Sequence, residues 1–279
     1  MPEPTGVRGV GEGARSPGDR VGGPAVERRA VIRRRMIGDA PALVAVVEID
    51  RHKRRNALDV AHLEELHDAV VGAHLEGART LVVTGLGSSV CAGADLGTGD
   101  GVYGDGFRDA LYRTLSAITE LPVPVVAAVN GPAIRAGTQL AIACDLRVAA
   151  HTARFAVPTA RNGLAVDPWT IHRLAVLAGG ATTRAMLLGC DTLDATDART
   201  RGLADRLGDL DDALAWAHEI AGLAPLTLAY SKRAVDRLAG SAMEDPELAT
   251  AFVACWDSDD LVEAQRARAE KRAPRFAGR

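Results

Sequence analysis

The chain has 279 residues, enough for one large domain or two small ones with a sizeable core. With 47% hydrophobic but only 4% aromatic residues, that core must be built from aliphatic side chains. A net charge of −3 argues against a nucleic-acid-binding domain, which would carry a basic excess, while leaving room for a local basic site that meets a phosphorylated ligand.

Residues 1–35 are rich in Gly, Pro and Arg and offer little to bury. They cannot offset the entropy of ordering and are read as a disordered tail, with a basic interaction tail as the alternative. From Met36 the sequence looks like an ordinary protein start, and translation is expected to begin at or near it. The segment ALVAVVEID (42–50) reads as a β-branched strand, and Asn56 to Asp59 open a helix whose apolar residues Leu63, Leu66, Ala69 and Val70 recur at helical spacing. TLVVTG (80–85) is a second, buried strand. A Gly-rich stretch (97–106) leads to a helix from about 107 to 118, then a strand at 123–130, a short helix at 136–144, and strands at 146–150 and 153–157. Helices dominate after Trp169, over 168–178, 181–188, 195–201, 211–223, 225–239, 245–255 and 259–271. The order predicts an α/β core over 36–200 and a helical C-terminal region over 201–279.

No apolar run approaches the roughly 20 residues of a membrane helix, and the arginine-bearing N-terminus lacks the apolar segment of a secretory signal. A cytoplasmic protein without a membrane span is expected. Cys91, Cys144, Cys190 and Cys255 are scattered, with neither metal nor redox spacing, so buried free thiols and no metal site are expected.

Two segments carry chemistry. The first is Val90-Cys91-Ala92-Gly93-Ala94-Asp95-Leu96; the second runs from Val129-Asn130-Gly131 through Arg135-Ala136-Gly137-Thr138-Gln139-Leu140-Ala141 to Cys144-Asp145. Each reads as a strand, a turn of small residues and a helix start. Small residues let a ligand approach backbone N–H groups, and a helix start adds unsatisfied donors. Two such turns converging on one carbonyl oxygen would form an oxyanion hole. Alone, each is more often structural.

Together, and with Arg54-Arg55-Asn56-Ala57-Leu58, Phe155-Ala156-Val157-Pro158 and Glu270-Lys271-Arg272-Ala273-Pro274-Arg275-Phe276, the two segments resemble the crotonase (enoyl-CoA hydratase/isomerase) superfamily over roughly residues 40–278. The resemblance implies a crotonase (ClpP/crotonase-like) ββα spiral core with C-terminal helices that trimerise, as a homotrimer or hexamer. It implies a coenzyme A thioester as ligand and no other cofactor, with the thioester carbonyl held by the N–H groups of Ala94 and Ala136. Ala92, Asp95 and Leu96 would line the acyl-CoA site. Trp169 stands where the family has a glycine-sized residue; it either closes the pocket or lines the acyl chain, or it is a core residue. Arg55 and Lys271 become candidates for the phosphates of CoA, as do Lys53, Arg54 and Arg272, and Phe276 for its adenine, on this chain or a neighbouring subunit. Arg135 departs from the small residues of the family's turn; its side chain either covers an anionic ligand or points to solvent, and solvent is the expectation.

A hydratase needs two carboxyl groups to activate water and handle the α-carbon proton, each worth on the order of 10²–10⁴-fold in rate. The positions at which the family places them hold Gln139 and Thr159 here. Gln holds a water but takes no proton at neutral pH. One carboxylate remains close by, Asp167 in Gly163-Leu164-Ala165-Val166-Asp167-Pro168-Trp169, near where some superfamily members place a working Asp. The bland reading is that Asp167 caps a helix beginning at Pro168. His172 is a candidate proton carrier or a surface residue.

Gln139, Thr159, the 163–169 loop and the segment Glu263 to Phe276 resemble a mycobacterial acyl-CoA-binding homologue that lacks the catalytic glutamates. That relative carries fatty acyl-CoA toward long-chain, mycolic-type lipid synthesis, which implies a fatty-acid-synthase component as partner. The competing reading is an isomerase, hydrolase or thioester lyase using Asp167 with the oxyanion hole. A serine protease of the related Clp fold has no Ser/His/Asp arrangement to support it.

Overall fold

The computed structural model describes residues 30–95, 105–162, 164–236, 250, 254 and 257–279. Its centre is a six-stranded sheet in the order β1-β2-β3-β4-β6-β9. The strands are β1 (Ile32–Ile37), β2 (Val44–Ile49), β3 (Thr80–Gly85), β4 (Val125–Val129), β6 (Leu146–Ala149) and β9 (Arg206–Leu207). β1 runs antiparallel to β2, and every other pairing in this sheet is parallel.

The apolar runs of β2, β3 and β4 reflect burial on both faces, as parallel strands require. Ala45, Val47, Leu81, Val83, Val125 and Ala127 point into the larger core. Their neighbours Val44, Val46, Val82, Val126 and Ala128 point into a second one. Helices α1 (Val60–Leu75), α2 (Asp105–Glu120) and α3 (Ala136–Ala143) cover the first face. α6 (Leu210–Ala221) covers the second with Ala213, Ala217 and Ile220. A small sheet of β5 (Pro132–Ile134), β7 (Arg154–Ala156) and β8 (Thr192–Asp194) stands beside the main one.

Helix α4 (Pro168–Leu188) breaks at Gly179, whose φ of 79° interrupts the helix where two separate helices are expected from the sequence. α5 (Ala195–Thr200), α7 (Pro225–Asp236) and α8 (Asp259–Glu270) complete the described elements; the helix expected over 245–255 falls almost wholly outside the described residues.

Two expectations about organisation change. Ile32 to Arg35, assigned to the tail, form most of β1, pairing with Ile49 back to Val46, with Ile32 buried. A chain starting at Met36 would lack four of the six positions of this strand. The division at residue 200 does not separate two bodies, because β9 joins the main sheet and α6 seals its second face. Both strand segments were too short or too charged to show an alternating pattern.

Candidate functional site

The site is built where two turns at the C-terminal ends of β3 and β4 are held side by side. Ile134 N–H donates to Cys91 O at 2.9 Å and Val90 N–H to Pro132 O at 3.2 Å. Asn130 braces the incoming loop by donating to the carbonyls of Gly85 and Gly87, and buried Asn56 does so by donating to those of Leu86 and Ser89. Gly137 permits the contact, since a Cβ there would run into the carbonyl oxygen of Cys91.

This arrangement frees two backbone donors. Leu58 bonds to the neighbours of Ala94, donating to Gly93 O at 3.0 Å and accepting from Asp95 N at 2.7 Å, which leaves the N–H of Ala94 outside the ladder. Ala136 is the first residue of α3, so its N–H has no acceptor within the helix. Both alanines line one cavity of about 250 Å³. Two such donors on one wall suit a carbonyl oxygen that gains negative charge.

Gln139, Thr159 and Asp167 line the same cavity. Asp167 is the N-cap of α4: Oδ1 accepts from Thr170 N at 2.9 Å. Oδ2 accepts from Thr170 Oγ1 at 2.6 Å and from Gln139 Nε2 at 2.9 Å. Tyr112 of α2 faces Asp167 across the cavity, and burial first, then the Asp167 charge, pushes the Tyr112 hydroxyl above its ordinary value. Gln139 Nε2 also donates to Thr170 Oγ1 at 2.8 Å. A carboxylate has about four lone-pair directions; three protein donors take up most of those of Asp167.

The structure thus brings together Ala94, Ala136, Gln139, Thr159 and Asp167, and it separates other expected residues. Asp95 is not among the lining residues; its buried carboxylate pairs with Arg51 at 2.6 Å. Ala92 donates to Arg55 O at 3.0 Å, which sets the exposed basic turn Lys53-Arg54-Arg55 beside the hole. Leu96 lies outside the described residues. Trp169 packs partly against the main core and lines an adjoining cavity of about 310 Å³ that meets the first at Tyr112 and Asp167. His172 is exposed on α4, away from both. Phe276 lies far from the hole, its carbonyl accepting from Arg79 at 2.9 Å just ahead of β3, at the other end of the sheet. Lys271 is exposed, while Arg272 is committed to Glu263 and Glu270. Arg135 does not point out to solvent: it lines the cavity.

Sequence reading missed the contribution of α2. Phe107, Arg108, Leu111 and Tyr112 line the cavity, but they belong to an ordinary amphipathic helix and nothing local marks them. The Cys-Asp-x-Arg part of the second motif proves structural. Arg147, 1% exposed, donates to the carbonyls of Leu203, Cys144 and Asp145 and pairs with Asp205 at 3.1 Å. Asp145 accepts from Val125 N at 2.7 Å and pairs with Lys232 at 2.9 Å. Among the described residues no helix is long and apolar enough to cross a membrane.

Comparisons with known proteins agree with this architecture. The model of the enoyl-CoA hydratase/isomerase family matches residues 39–279. A relative named probable enoyl-CoA hydratase echA6, from Mycobacterium tuberculosis, is 47% identical over 246 residues, covering 87% of this chain and 100% of its own. A crystal structure of a putative enoyl-CoA hydratase/isomerase family protein from Hyphomonas neptunium superposes with a TM-score of 0.80 at 29% identity, over 90% of this chain and 100% of that one. An enoyl-CoA hydratase structure from M. tuberculosis H37Rv gives 0.74 at 30% identity, over 90% and 100%. With the family model matched along nearly the whole described chain and the fold shared throughout, the chain belongs to the enoyl-CoA hydratase/isomerase, or crotonase, family.

Proposed function

We propose that this chain binds fatty acyl-CoA thioesters, in fatty-acid or mycolic-type lipid metabolism, with little or no hydratase turnover. The observation that carries the reading is the engagement of Asp167. The positions of the family's two carboxylates hold an amide and a hydroxyl, and the remaining carboxylate that lines the cavity accepts three hydrogen bonds, from Thr170 and Gln139. A general base needs a lone pair directed at the proton it removes. The N–H groups of Ala94 and Ala136 would hold the thioester carbonyl, the basic turn at Arg55 would meet a phosphate, and the adjoining cavity beside Trp169 gives room for the acyl chain. No further cofactor enters this reading. A trimer or hexamer, a cytoplasmic location and a fatty-acid-synthase component as protein partner belong to the same proposal and rest on the resemblance alone.

The alternative, an isomerase or thioester lyase, draws on one observation: Asp167 shares the cavity with both alanines. Incubating the full chain with crotonyl-CoA and with a long-chain enoyl-CoA separates the two. Loss of the conjugated thioester absorbance is followed while binding is measured by calorimetry on the same samples. Binding without turnover supports the carrier reading; turnover that disappears in Asp167→Asn supports the enzyme.

A further inference from the structure

Arg135 occupies a backbone position that suits glycine. Its φ of 54° with ψ of −113° lies outside the left-handed helical well as well as the common regions, and a non-glycine residue held in such a conformation is strained. Glycine would adopt it without steric conflict. The side chain that bears this strain crosses the cavity mouth: a Cβ on Gly93 would touch Cβ and Cδ of Arg135 at 3.4 and 3.6 Å. The stem therefore bridges the two turns that present the N–H groups of Ala94 and Ala136.

Among the described residues, Nε of Arg135 is buried without a hydrogen-bond partner and no carboxylate forms an ion pair with its guanidinium. Asp167, the carboxylate on the cavity wall, is engaged by other donors. A buried donor left unmade is costly, more so when it is charged, and a ligand that enters the cavity can supply the missing acceptor. The phosphates of CoA do not serve, because in the proposed reading they meet the basic turn at Arg55. The thioester oxygen does not serve either, since its two lone pairs face the two N–H groups. The acceptor sits on the acyl group, and the guanidinium edge of Nε and a terminal nitrogen matches the fork of a carboxylate.

We infer that Arg135 selects acyl-CoA thioesters whose acyl group bears a second, negatively charged carboxylate close to the thioester carbonyl. This inference rests on the proposal that the cavity holds a CoA thioester.

Calorimetry of the full chain with butyryl-CoA, malonyl-CoA and succinyl-CoA tests it, in the wild type and in Arg135→Gly. A charge-assisted bond in a desolvated site predicts that the better of the two dicarboxylic thioesters binds on the order of 10- to 100-fold tighter than butyryl-CoA. Arg135→Gly should bring all three within about threefold, while relief of the backbone strain raises the melting temperature. That rise separates a lost recognition group from a damaged fold. Equal wild-type affinity for all three, or a preference that survives in Arg135→Gly, overturns the selectivity and leaves thioester binding standing. Binding of none of them overturns both.

Discussion

The side-chain amide of Gln139, in α3, donates to Oδ2 of Asp167, at the head of α4, at 2.9 Å, and also to Thr170 Oγ1 at 2.8 Å. A glutamate at 139 has no hydrogen to give and would set a second carboxylate against the first. Gln139 and Asp167 thus form a matched pair, in which the hydratase-type residue at 139 conflicts with Asp167.

Gln139→Glu should therefore destabilise the fold by about 1–3 kcal/mol at pH 8. The neighbouring carboxylate raises the folded-state pKa of the introduced glutamate above its unfolded value of about 4.3. The penalty is then absent below that value and grows as pH rises through the folded value. Denaturation midpoints at pH 5 and pH 8 check this: the deficit should shrink at pH 5 and should be removed at both by a second change, Asp167→Asn. It follows that Gln139→Glu with Thr159→Glu restores no hydration unless Asp167 is changed as well.

Asp167→Ala removes the cap of α4, worth about 1 kcal/mol, and strands the side-chain donors of Gln139 and Thr170, for a total of about 2–3 kcal/mol. Urea denaturation should show that loss, with Asp167→Asn losing less because its carbonyl oxygen still caps Thr170. A purely catalytic Asp167 would leave stability unchanged in both variants.

Much of this was legible in sequence because the parallel strands are buried on both faces and announce themselves as short aliphatic runs, and because two glycine-bearing turns recur at the ends of β3 and β4. β1, with three consecutive arginines, reads as a charged tail, since its stability comes from the ladder to β2 rather than from its own pattern. The catalytic-looking Asp167 and its cap are visible in Asp-Pro, yet its engagement by Gln139 is tertiary, joining α3 and α4. The direction of Arg135 depends on a backbone conformation that sequence does not display. Lys271 and Phe276 were placed by the resemblance alone, and within this chain they lie away from the cavity.

Arg147 should be the least replaceable polar residue of the second motif. Arg147→Ala takes the guanidinium donors from three carbonyls and leaves Asp205 only the backbone N–H of residue 147, and each buried acceptor left unmade costs about 1–3 kcal/mol. Loss of soluble, folded protein, read by circular dichroism, is the expected result.

At the C-terminal end, Glu263 of α8 is held well below the usual carboxylate range, at about 2, first by the side-chain hydrogen bond from Arg272 and then by the backbone N–H of Arg275. A depressed carboxylate contributes stability above its unfolded value of 4.5, and that stability is lost as pH falls toward 2. Hydrogen exchange at the Arg275 amide should stay protected down to about pH 3 in the wild type and lose protection at pH 7 in Glu263→Gln, which still offers an acceptor but no charge.

The central claim is that the cavity holds a CoA thioester but lacks a group to hydrate it. Stoichiometric full-length protein mixed with crotonyl-CoA, followed by acid quenching and chromatography over hours, tests it most directly. The account predicts crotonyl-CoA that is retained by the protein on gel filtration and recovered chemically unchanged after quenching. Formation of 3-hydroxybutyryl-CoA, above a mock preparation from the same host and abolished by Asp167→Asn, would contradict it and assign Asp167 to the chemistry.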